Sequence, residues 1–578
     1  MKKFILSVCL SVSLIIIFAQ NNNGILFKVG DDVVTATEFI NTFNRNNSIE
    51  KATEAEVRDY LDLYINFKLK VRDGFGTQID TVATFQKELA SYRSQSAQSY
   101  LVDKEITEHL ITEAIERSKF MIRASHILVQ CKEDASPKDS LDAYNKIMDI
   151  RKKINSGAIT FPEAAVLYSE DPSAKDETTS QGKLQRGNKG DLRYFTVFDL
   201  IYPFETAAYN TPVGSYSMPI RTRFGYHLIW VQDKQPTVSK INISQILLLD
   251  TAAISGNYSA GVKEKLTLIE EAIKKGEDFT ALAIEYTDDP TLKKNNGNAD
   301  PFSPNLRPGD FVKQCIALEN NQISKPFASE IGWHVIKLNE LEKSEIADDE
   351  LRYLMISKIQ KDSRSTKSIQ SLIDKLKKEY VYIETDKNKA FELIINKINV
   401  ENKFPQTKEL LEMPEMSKLK PIASFANETI TIQDFIQVLE RFQGMEMKKQ
   451  AKTFLNDQYN NFIKDKILKY EFENLENKYP EYQELIREYH HGMILFEMNN
   501  KRVWEESLKD SANIETYFEK NKHNYINSDG KPKQLTEIRS IVLTDYQNDL
   551  EREWLAELKS KYPIWINEEL LKSIIEKK

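Results

Sequence analysis

Histidine is the side chain best suited to proton and hydrogen-bond chemistry near neutral pH, and this chain has only seven. Three of them stand in apolar segments of strand type, and the first two of these are Ser-His126-Ile-Leu-Val and Gly-Tyr-His227-Leu-Ile. Between them lies Asp171, which is followed by proline. Each also has an ordinary structural interpretation, as a satisfied core histidine or a turn residue. No metal-ligand spacing such as C-x-x-C or H-E-x-x-H occurs, so no metal site is predicted.

The composition is that of a folded chain with several domains. For 578 residues, about 150 residues per domain predicts roughly four domains. Hydrophobic residues make up 41% and charged residues 29%, which excludes disorder as the main state. The net charge of −8 argues against nucleic acid as a main partner, because phosphates require clustered Lys and Arg.

The start of the chain has the pattern of an export signal. Two lysines precede an apolar run from Phe4 to Ala19, and a polar stretch begins at Gln20. This pattern predicts a secretory signal peptide over 1–20, with cleavage near Ala19/Gln20. The alternative is an uncleaved anchor, although the run is shorter than the roughly 20 residues that span a bilayer. We therefore expect a periplasmic chain without stable membrane insertion.

Two cysteines remain after such a cleavage, Cys131 and Cys315, far apart in the sequence. An exported protein can form disulfides, but two cysteines without close spacing provide no disulfide framework. Buried or idle thiols are the favoured interpretation.

The segment 119–236 repeats in type and order over 237–343. In each unit an apolar run of strand type is followed by an amphipathic helix that ends at glycine, a second helical stretch and an Asp-Pro pair. The endings Phe-Gly-Tyr-His227-Leu-Ile and Ile-Gly-Trp-His334-Val-Ile agree position by position. Each unit is therefore predicted to be a small α+β domain with the order β-α-α-loop-α-β.

The first unit carries an insertion that the second lacks. Phe204 precedes His227 by the same spacing as Phe311 precedes His334, so the extra residues lie earlier in the unit. Their polar composition places them near 175–189, as a loop.

A weaker repeat frames the two units. The stretch 29–40 resembles 426–436, and in both a hairpin-like opening leads through threonine into a helix. The residues that follow have helical periodicity. We expect mainly helical domains over 24–118 and 421–578, the second with a C-terminal docking helix, and a helical connector over 344–420.

Five short motifs in the first unit together resemble the parvulin family of peptidyl-prolyl isomerases, and they occur in the family's order. They are Ala-Ser-His126-Ile-Leu-Val, Ser-Glu-Asp171-Pro-Ser-Ala, Gly190-Asp-Leu-Arg-Tyr-Phe195, Pro203-Phe204-Glu and Thr222-Arg-Phe-Gly-Tyr-His227. The leader, the tandem units and the helical flanks are further similar to periplasmic chaperones that contain such domains, across most of 24–343. The resemblance implies two small parvulin-like α+β domains flanked by mainly α-helical chaperone-type domains. The helical stretch after 420 departs from that plan.

The resemblance implies that the first unit rotates X–Pro peptide bonds. This chemistry needs no cofactor, because no bond to carbon is made and only amide resonance is broken. His126 and His227 would face each other from adjacent strands and share a hydrogen bond, which Thr222 would extend. Asp171 would lie beside the carbonyl of the twisting bond, at a position where the family has Asp or Cys. The apolar residues implied to grip the proline are Leu192, Phe195, Leu200, Phe204 and Phe224.

Both units depart from the family pattern. In the second unit Gln245 stands in place of the first histidine, although Asp289 and His334 remain, so we expect a degenerate domain that binds or spaces without isomerising. In the first unit Arg193 stands where the family usually has glycine, and the 175–189 insertion borders the site. With these two changes, a reduced isomerase activity of the first unit stays an alternative.

Two hypotheses follow. In the first, the protein is an exported folding factor that isomerises X–Pro bonds with its first parvulin-like unit and binds unfolded polypeptides. In the second, it is a holdase chaperone without significant isomerase activity, and both units serve as binding modules. The expected partners are proline-containing, aromatic-rich unfolded chains, with outer-membrane proteins among the candidates, and not nucleic acid.

Overall fold

The computed structural model describes most of the chain after the leader, namely residues 24–45, 48–133, 135–178, 184–343, 346–447, 451–509 and 511–576. The predicted signal peptide over 1–20 lies outside these residues, as does the centre of the predicted 175–189 loop. The described residues form two compact units. One contains the residues up to Ser99 and from Tyr470 onward, and the other runs from Tyr100 to Lys469.

The residues up to Ser99 form a hairpin followed by helices. The elements are β1 (Ile25–Val29), β2 (Asp32–Thr35), α1 (Ala36–Asn44), α2 (Glu54–Gly76) and α3 (Ala83–Ala97). Thr35 begins α1 as its N-cap, because its hydroxyl accepts the Glu38 amide at 3.1 Å. The hairpin that the sequence predicts before this threonine is present.

The first repeat unit follows helix α4 (Lys104–Ser118). Its elements are β3 (Phe120–Gln130), α5 (Pro137–Asn155), α6 (Phe161–Tyr168), β4 (Glu177–Thr178), β5 (Leu184–Gln185), β6 (Asp191–Phe195), α7 (Tyr202–Asn210), β7 (Ile220–Thr222) and β8 (Gly225–Pro236). Four strands form an antiparallel sheet in the order β6-β3-β8-β7, with α5 and α6 on one face and α7 on the other. The predicted loop insertion contains the short pair β4–β5.

Glycine is required where β8 begins. Gly225 has φ +146°, and a Cβ there would collide with the carbonyl oxygen of Val129 on β3. Gly332 has φ +154° and would meet the carbonyl of Leu248 in the same way. The close approach of the two long strands therefore explains the glycine two residues before each terminal histidine.

The second repeat unit has the same order with fewer strands. Its elements are β9 (Lys240–Leu249), α8 (Ala260–Lys274), α9 (Phe279–Tyr286), α10 (Pro290–Lys294), α11 (Gly309–Ile316), β10 (Phe327–Ala328) and β11 (Gly332–Glu342). The sheet order is β10-β11-β9, and isolated bridges from Asn298 and Phe302 to β9 stand where the first unit has β6. The α+β class predicted for the repeat units is confirmed.

The rest of the chain is mainly helical. Its elements are α12 (Asp348–Lys361), α13 (Ser365–Glu379), β12 (Ile383–Glu384), α14 (Lys387–Glu401), α15 (Thr407–Leu411), α16 (Pro414–Ser417), β13 (Ala423–Phe425), β14 (Glu428–Ile430), α17 (Ile432–Leu439), α18 (Ala451–Lys478), α19 (Pro480–Asn499), α20 (Glu505–Leu508), α21 (Ser511–Asn521), α22 (Leu535–Lys561), β15 (Ile564–Ile566) and α23 (Glu568–Glu576). Hairpin β13–β14 leads through the N-cap Thr431 into α17, as β1–β2 leads through Thr35 into α1.

The two compact units divide the chain elsewhere than at the predicted domain boundaries. In the first, β15 pairs with β1, and α2 packs against α19 and α22. In the second, α4 packs against α12 and α13, so it shares a unit with the repeat domains. The predicted boundaries at 118 and 420 stay predictions, because packing groups segments that are distant in sequence. Cys131 and Cys315 are free and buried, which confirms the thiol prediction.

Candidate functional site

His126 and His227 meet on one face of the sheet of the first unit. His126 of β3 pairs with Ile229, and His227 of β8 pairs with Leu128, so the two histidines lie diagonally across the ladder. Both are buried, their rings are nearly parallel at 15°, and the two Nδ1 atoms lie 3.2 Å apart. For a hydrogen bond between them, one Nδ1 must carry a hydrogen and donate it, and the other must accept the hydrogen bond.

Thr222 extends this pair on the side of His227. Its Oγ1 lies 2.8 Å from His227 Nε2 and also accepts the amide of Phe224 at 3.1 Å. Burial and the nearby His126 lower the pKa of His227 to about 3. The ring of His227 is therefore neutral near pH 7, with one donating and one accepting nitrogen.

Asp171 closes the other side, beside His126. Its Oδ2 lies 3.0 Å from His126 Nε2, outside hydrogen-bond geometry, so the contact is electrostatic in character. Oδ1 accepts the amide and the hydroxyl of Ser173 at 3.0 and 2.8 Å. The contact with His126, against the opposing effect of burial, and the bonds from Ser173 hold the pKa of Asp171 well below its ordinary value.

These contacts select one direction for the chain of protons. A carboxylate can only accept, so the nitrogen of His126 that faces Asp171, Nε2, is favoured to carry a hydrogen, which leaves Nδ1 as the acceptor. His227 then donates from Nδ1 and accepts the Thr222 hydroxyl at Nε2. In this order the two Nδ1 atoms, His227 Nε2 and the Thr222 hydroxyl each have a hydrogen-bond partner, which favours one tautomer for each ring.

Ser169 is a site residue that the sequence analysis missed. It is buried, and its Oγ accepts the amide of Leu128 on β3 at 3.2 Å and that of Asp171 at 3.3 Å. It thereby ties the Asp171 turn to the histidine strand. Comparison of the repeats offered a signal, because Thr287 has the same position before Asp289 and accepts the Leu247 amide at 3.2 Å.

The predicted apolar residues divide into two groups. Phe204 presents its ring edge-on to both imidazoles, with centroids 5.6 Å from His126 and 5.4 Å from His227. Leu192, Phe195 and Leu200 belong to the same apolar cluster. Phe224 is different: it lies half exposed in the turn between β7 and β8, outside this cluster. The structure thus places an apolar wall directly against the histidine pair.

Arg193 has a backbone conformation that favours glycine. Its φ is +64°, and its amide donates to Asp191 Oδ1 at 2.8 Å. Its side chain is exposed and reaches the carbonyl of Asn305 at 3.4 Å. The family's usual glycine therefore corresponds to a left-handed position, which arginine occupies here at a conformational cost.

The second unit has the same frame with different contacts. Gln245 Nε2 lies 3.0 Å from His334 Nδ1, and His334 Nε2 lies 2.6 Å from Ser329 Oγ, which stands where the first unit has Thr222. The carboxylate of Asp289 accepts the amides that begin α10. Phe327 stacks on His334 with centroids 5.3 Å apart. A neutral amide thus replaces the imidazole that faces the carboxylate in the first unit.

A family model described as the PPIC-type PPIase (rotamase) domain matches residues 126–233 and 247–340. These are the two repeat units, and the first match begins at His126 itself. The two matched regions are called the first and the second rotamase domain below. The first rotamase domain combines both histidines, Thr222 and Asp171, whereas the second rotamase domain has the Gln245–His334 pair.

Curated relatives of the chain are named Chaperone SurA. The protein of Methylococcus capsulatus is 25% identical over 234 residues, which cover 40% of this chain and 48% of the relative. That of Hydrogenovibrio crunogenus is 25% identical over 330 residues, which cover 57% of this chain and 68% of the relative. The chain spans about half of the length of most curated relatives that it matches.

Solved structures similar to parts of the chain include rotamases. The solution structure of TbPIN1 is 27% identical and covers 20% of this chain and 97% of that protein, with a TM-score of 0.16. PrsA, a peptidylprolyl isomerase from Bacillus anthracis, is 21% identical and covers 41% of this chain and 93% of that protein, also with a TM-score of 0.16.

Proposed function

We propose that the protein is an exported folding factor whose first rotamase domain isomerises X–Pro bonds while the chain binds unfolded polypeptides. The observation that carries the isomerase part is the hydrogen-bonded pair of His126 and His227 beneath Phe204. The similarity to proteins named Chaperone SurA supports the chaperone part. The alternative of a holdase without isomerase activity is not favoured.

The chemistry needs only a shaped and dry pocket. Rotation about an X–Pro bond breaks amide resonance, and the barrier for a peptide bond is about 18–20 kcal/mol. Leu192, Leu200 and Phe204 would grip the proline ring, with Phe195 behind them and Phe224 at the exposed edge. A pocket complementary to the twisted amide lowers this barrier without a nucleophile.

The polar residues would act on the twisting bond from one side. The charged Asp171 would lie beside the carbonyl whose oxygen sweeps past during rotation. His126, His227 and Thr222 would form the floor and keep one fixed pattern of donors and acceptors. Because His227 stays neutral, this histidine brings no added charge into the apolar pocket.

We further propose that only the first rotamase domain is active. In the second domain the Gln245 amide replaces the imidazole, and Phe327 stacks on His334. This domain would bind or space extended segments.

The clients would be proline-containing, aromatic-rich polypeptides of the periplasm, including outer-membrane proteins. No described helix combines the length and apolar character required to cross a bilayer.

The test is an isomerisation assay of the full mature chain on a proline tetrapeptide, beside an assay of aggregation of an unfolded outer-membrane protein. Catalysis well above background, lowered at least tenfold by His126→Gln and insensitive to Gln245→Ala, supports the proposal. Isomerisation at the background rate, together with full suppression of aggregation, would contradict the isomerase and support the holdase alternative. N-terminal sequencing of the exported protein tests cleavage near Ala19/Gln20.

A further inference from the structure

The segment between β6 and α7, together with the first turn of α7, has two opposite apolar sides. Leu200 and Phe204 pack into the cluster against the histidine pair. Val197, Phe198 and Tyr202 pack in a separate cluster with residues of α4 and α12. The wall that faces the candidate proline pocket is therefore backed by helices that lie outside the matched rotamase region.

A buried carboxylate joins this wall to those helices. Glu205 follows Phe204 in α7 and is fully buried. It accepts Nη1 of Arg117 from α4 at 2.8 Å, and Nη1 and Nη2 of Arg364 at 3.3 and 2.8 Å. Its Oε2 also accepts the amide of Phe198 at 2.8 Å. Four donors occupy the acceptor sites of one carboxylate, so its position is determined from three directions.

Arg364 lies between α12 and α13 and is itself fully buried. Its guanidinium carbon lies 4.0 Å from the ring centroid of Phe198 and 4.6 Å from that of Tyr202. Phe198 has φ +71°, a conformation that a bulky residue adopts only where its surroundings impose it. The contacts of Arg364 and Glu205 supply that constraint.

A buried ion-pair network of this kind adds little to the free energy of unfolding, but it holds its side chains in a defined orientation. The free-energy cost of removing the charges from water offsets most of the attraction between them. Hydrophobic residues of similar size would therefore often stabilise the fold to the same extent. The planar fork of arginine, by contrast, holds a carboxylate in one orientation. The network therefore bears on where Phe204 and Leu200 lie more than on whether the domain folds.

We propose that Arg364 and Arg117 are positioning residues of the first rotamase site, acting through Glu205 and Phe198 on the wall that carries Leu200 and Phe204. This inference rests on the proposed isomerase function. The working enzyme then extends beyond the rotamase domain, from α4 to α13, and proline binding depends on helices that the family motif does not contain.

The test uses the full mature chain with Arg364→Met, and a proline tetrapeptide as substrate. We expect kcat/KM to fall about tenfold or more, with the larger part of the loss in KM, because the proline grip loosens while the His126 and His227 floor stays. Arg364→Lys should recover part of the loss. The matched control is Arg352→Met, which removes an exposed pair between α12 and Glu108 of α4 and should leave both constants unchanged.

Peptide binding, measured by calorimetry, separates this inference from the proposed function. A wild-type chain that binds the peptide without isomerising it contradicts the isomerase but keeps the positioning role if Arg364→Met weakens binding. A folded Arg364→Met protein with wild-type KM and affinity overturns the positioning role. If this variant does not fold, Glu205→Leu with Arg364→Met removes both charges, and the same outcomes apply to it. A wild-type chain that neither binds nor isomerises contradicts both proposals.

Discussion

The Nδ1 atoms of His126 and His227 lie 3.2 Å apart between nearly parallel, buried rings. Because Asp171 stands at the far nitrogen of one ring and Thr222 at the far nitrogen of the other, the pair has a preferred direction of proton donation. The same diagonal in the second domain joins Gln245 to His334 at 3.0 Å. The difference between the two domains therefore reduces, at this point, to a single side chain.

His126→Gln should convert the first site into the hydrogen-bond pattern of the second. We expect a folded protein, because a glutamine amide can donate to His227 as Gln245 does to His334, with kcat/KM at least tenfold lower because the imidazole beside Asp171 is lost. The measurement is proline-tetrapeptide isomerisation with thermal unfolding alongside. The matched control is Gln245→His. If His126→Gln keeps wild-type kcat/KM, the histidine is a structural residue only.

Thr222→Val should weaken the site by removing a hydroxyl that is hydrogen-bonded on both sides. His227 Nε2 would lose its partner in a buried place, which costs about 1–3 kcal/mol, and the part-buried Phe224 amide would lose its acceptor at a smaller cost. We expect a lower thermal midpoint and slower isomerisation, and Thr222→Ser should retain both properties. Equal behaviour of the valine and serine variants would rule out the role of the hydroxyl.

Arg193→Gly should stabilise the first rotamase domain. Glycine adopts φ near +64° without the steric cost that arginine bears, a gain of roughly 1 kcal/mol. The hydrogen bond from Arg193 to the Asn305 carbonyl is long and exposed, so its loss offsets little of this gain in stability. Thermal unfolding measures the change, and Lys189→Gly at φ +53° is a second left-handed position for comparison. A lower midpoint for Arg193→Gly would show that the side-chain contact outweighs the backbone cost.

Acid should destabilise the first domain partly through His227. Its pKa is about 3 in the folded chain against an ordinary value of 6.5, so below pH 6.5 only the unfolded chain binds this proton. The free energy of unfolding therefore has its full value above pH 6.5. It falls by up to a few kcal/mol as the pH drops toward 3. Asp171 contributes its own loss only below about pH 4, because its pKa is lowered from 3.8.

The measurement is the thermal midpoint as a function of pH between 7 and 4.5, for the wild type and for His227→Gln. His334, whose pKa burial lowers to about 4, gives a slope of the same sign in both proteins. The wild type should therefore lose stability more steeply than the variant. Parallel curves would mean that His227 is exposed to protonation in the folded chain.

The residue types of the site were predictable from the sequence, because the motifs that contain His126, Asp171 and His227 resemble the parvulin family, and because Asp171 and His227 recur in the second unit as Asp289 and His334. The hairpin before Thr35, the loop insertion and the α+β class were likewise predictable, since each depends on local patterns of turn residues and periodicity. The glycine two residues before each terminal histidine was visible as a motif, although its reason, a collision with the facing strand, was not.

The tertiary structure alone decided which residues surround that set. Arg117 and Glu205 come from two helices and Arg364 from the turn between two others, and no local pattern indicates that they meet behind Phe204. The direction of the His126–His227 bond likewise depends on Asp171 and Thr222 reaching opposite ends of the pair. Burial, which lowers the pKa of His227, is a property of packed neighbours from distant strands and helices. The sequence determined the chemical groups, and folding determined their protonation, orientation and support, because those depend on contacts between segments far apart in the chain.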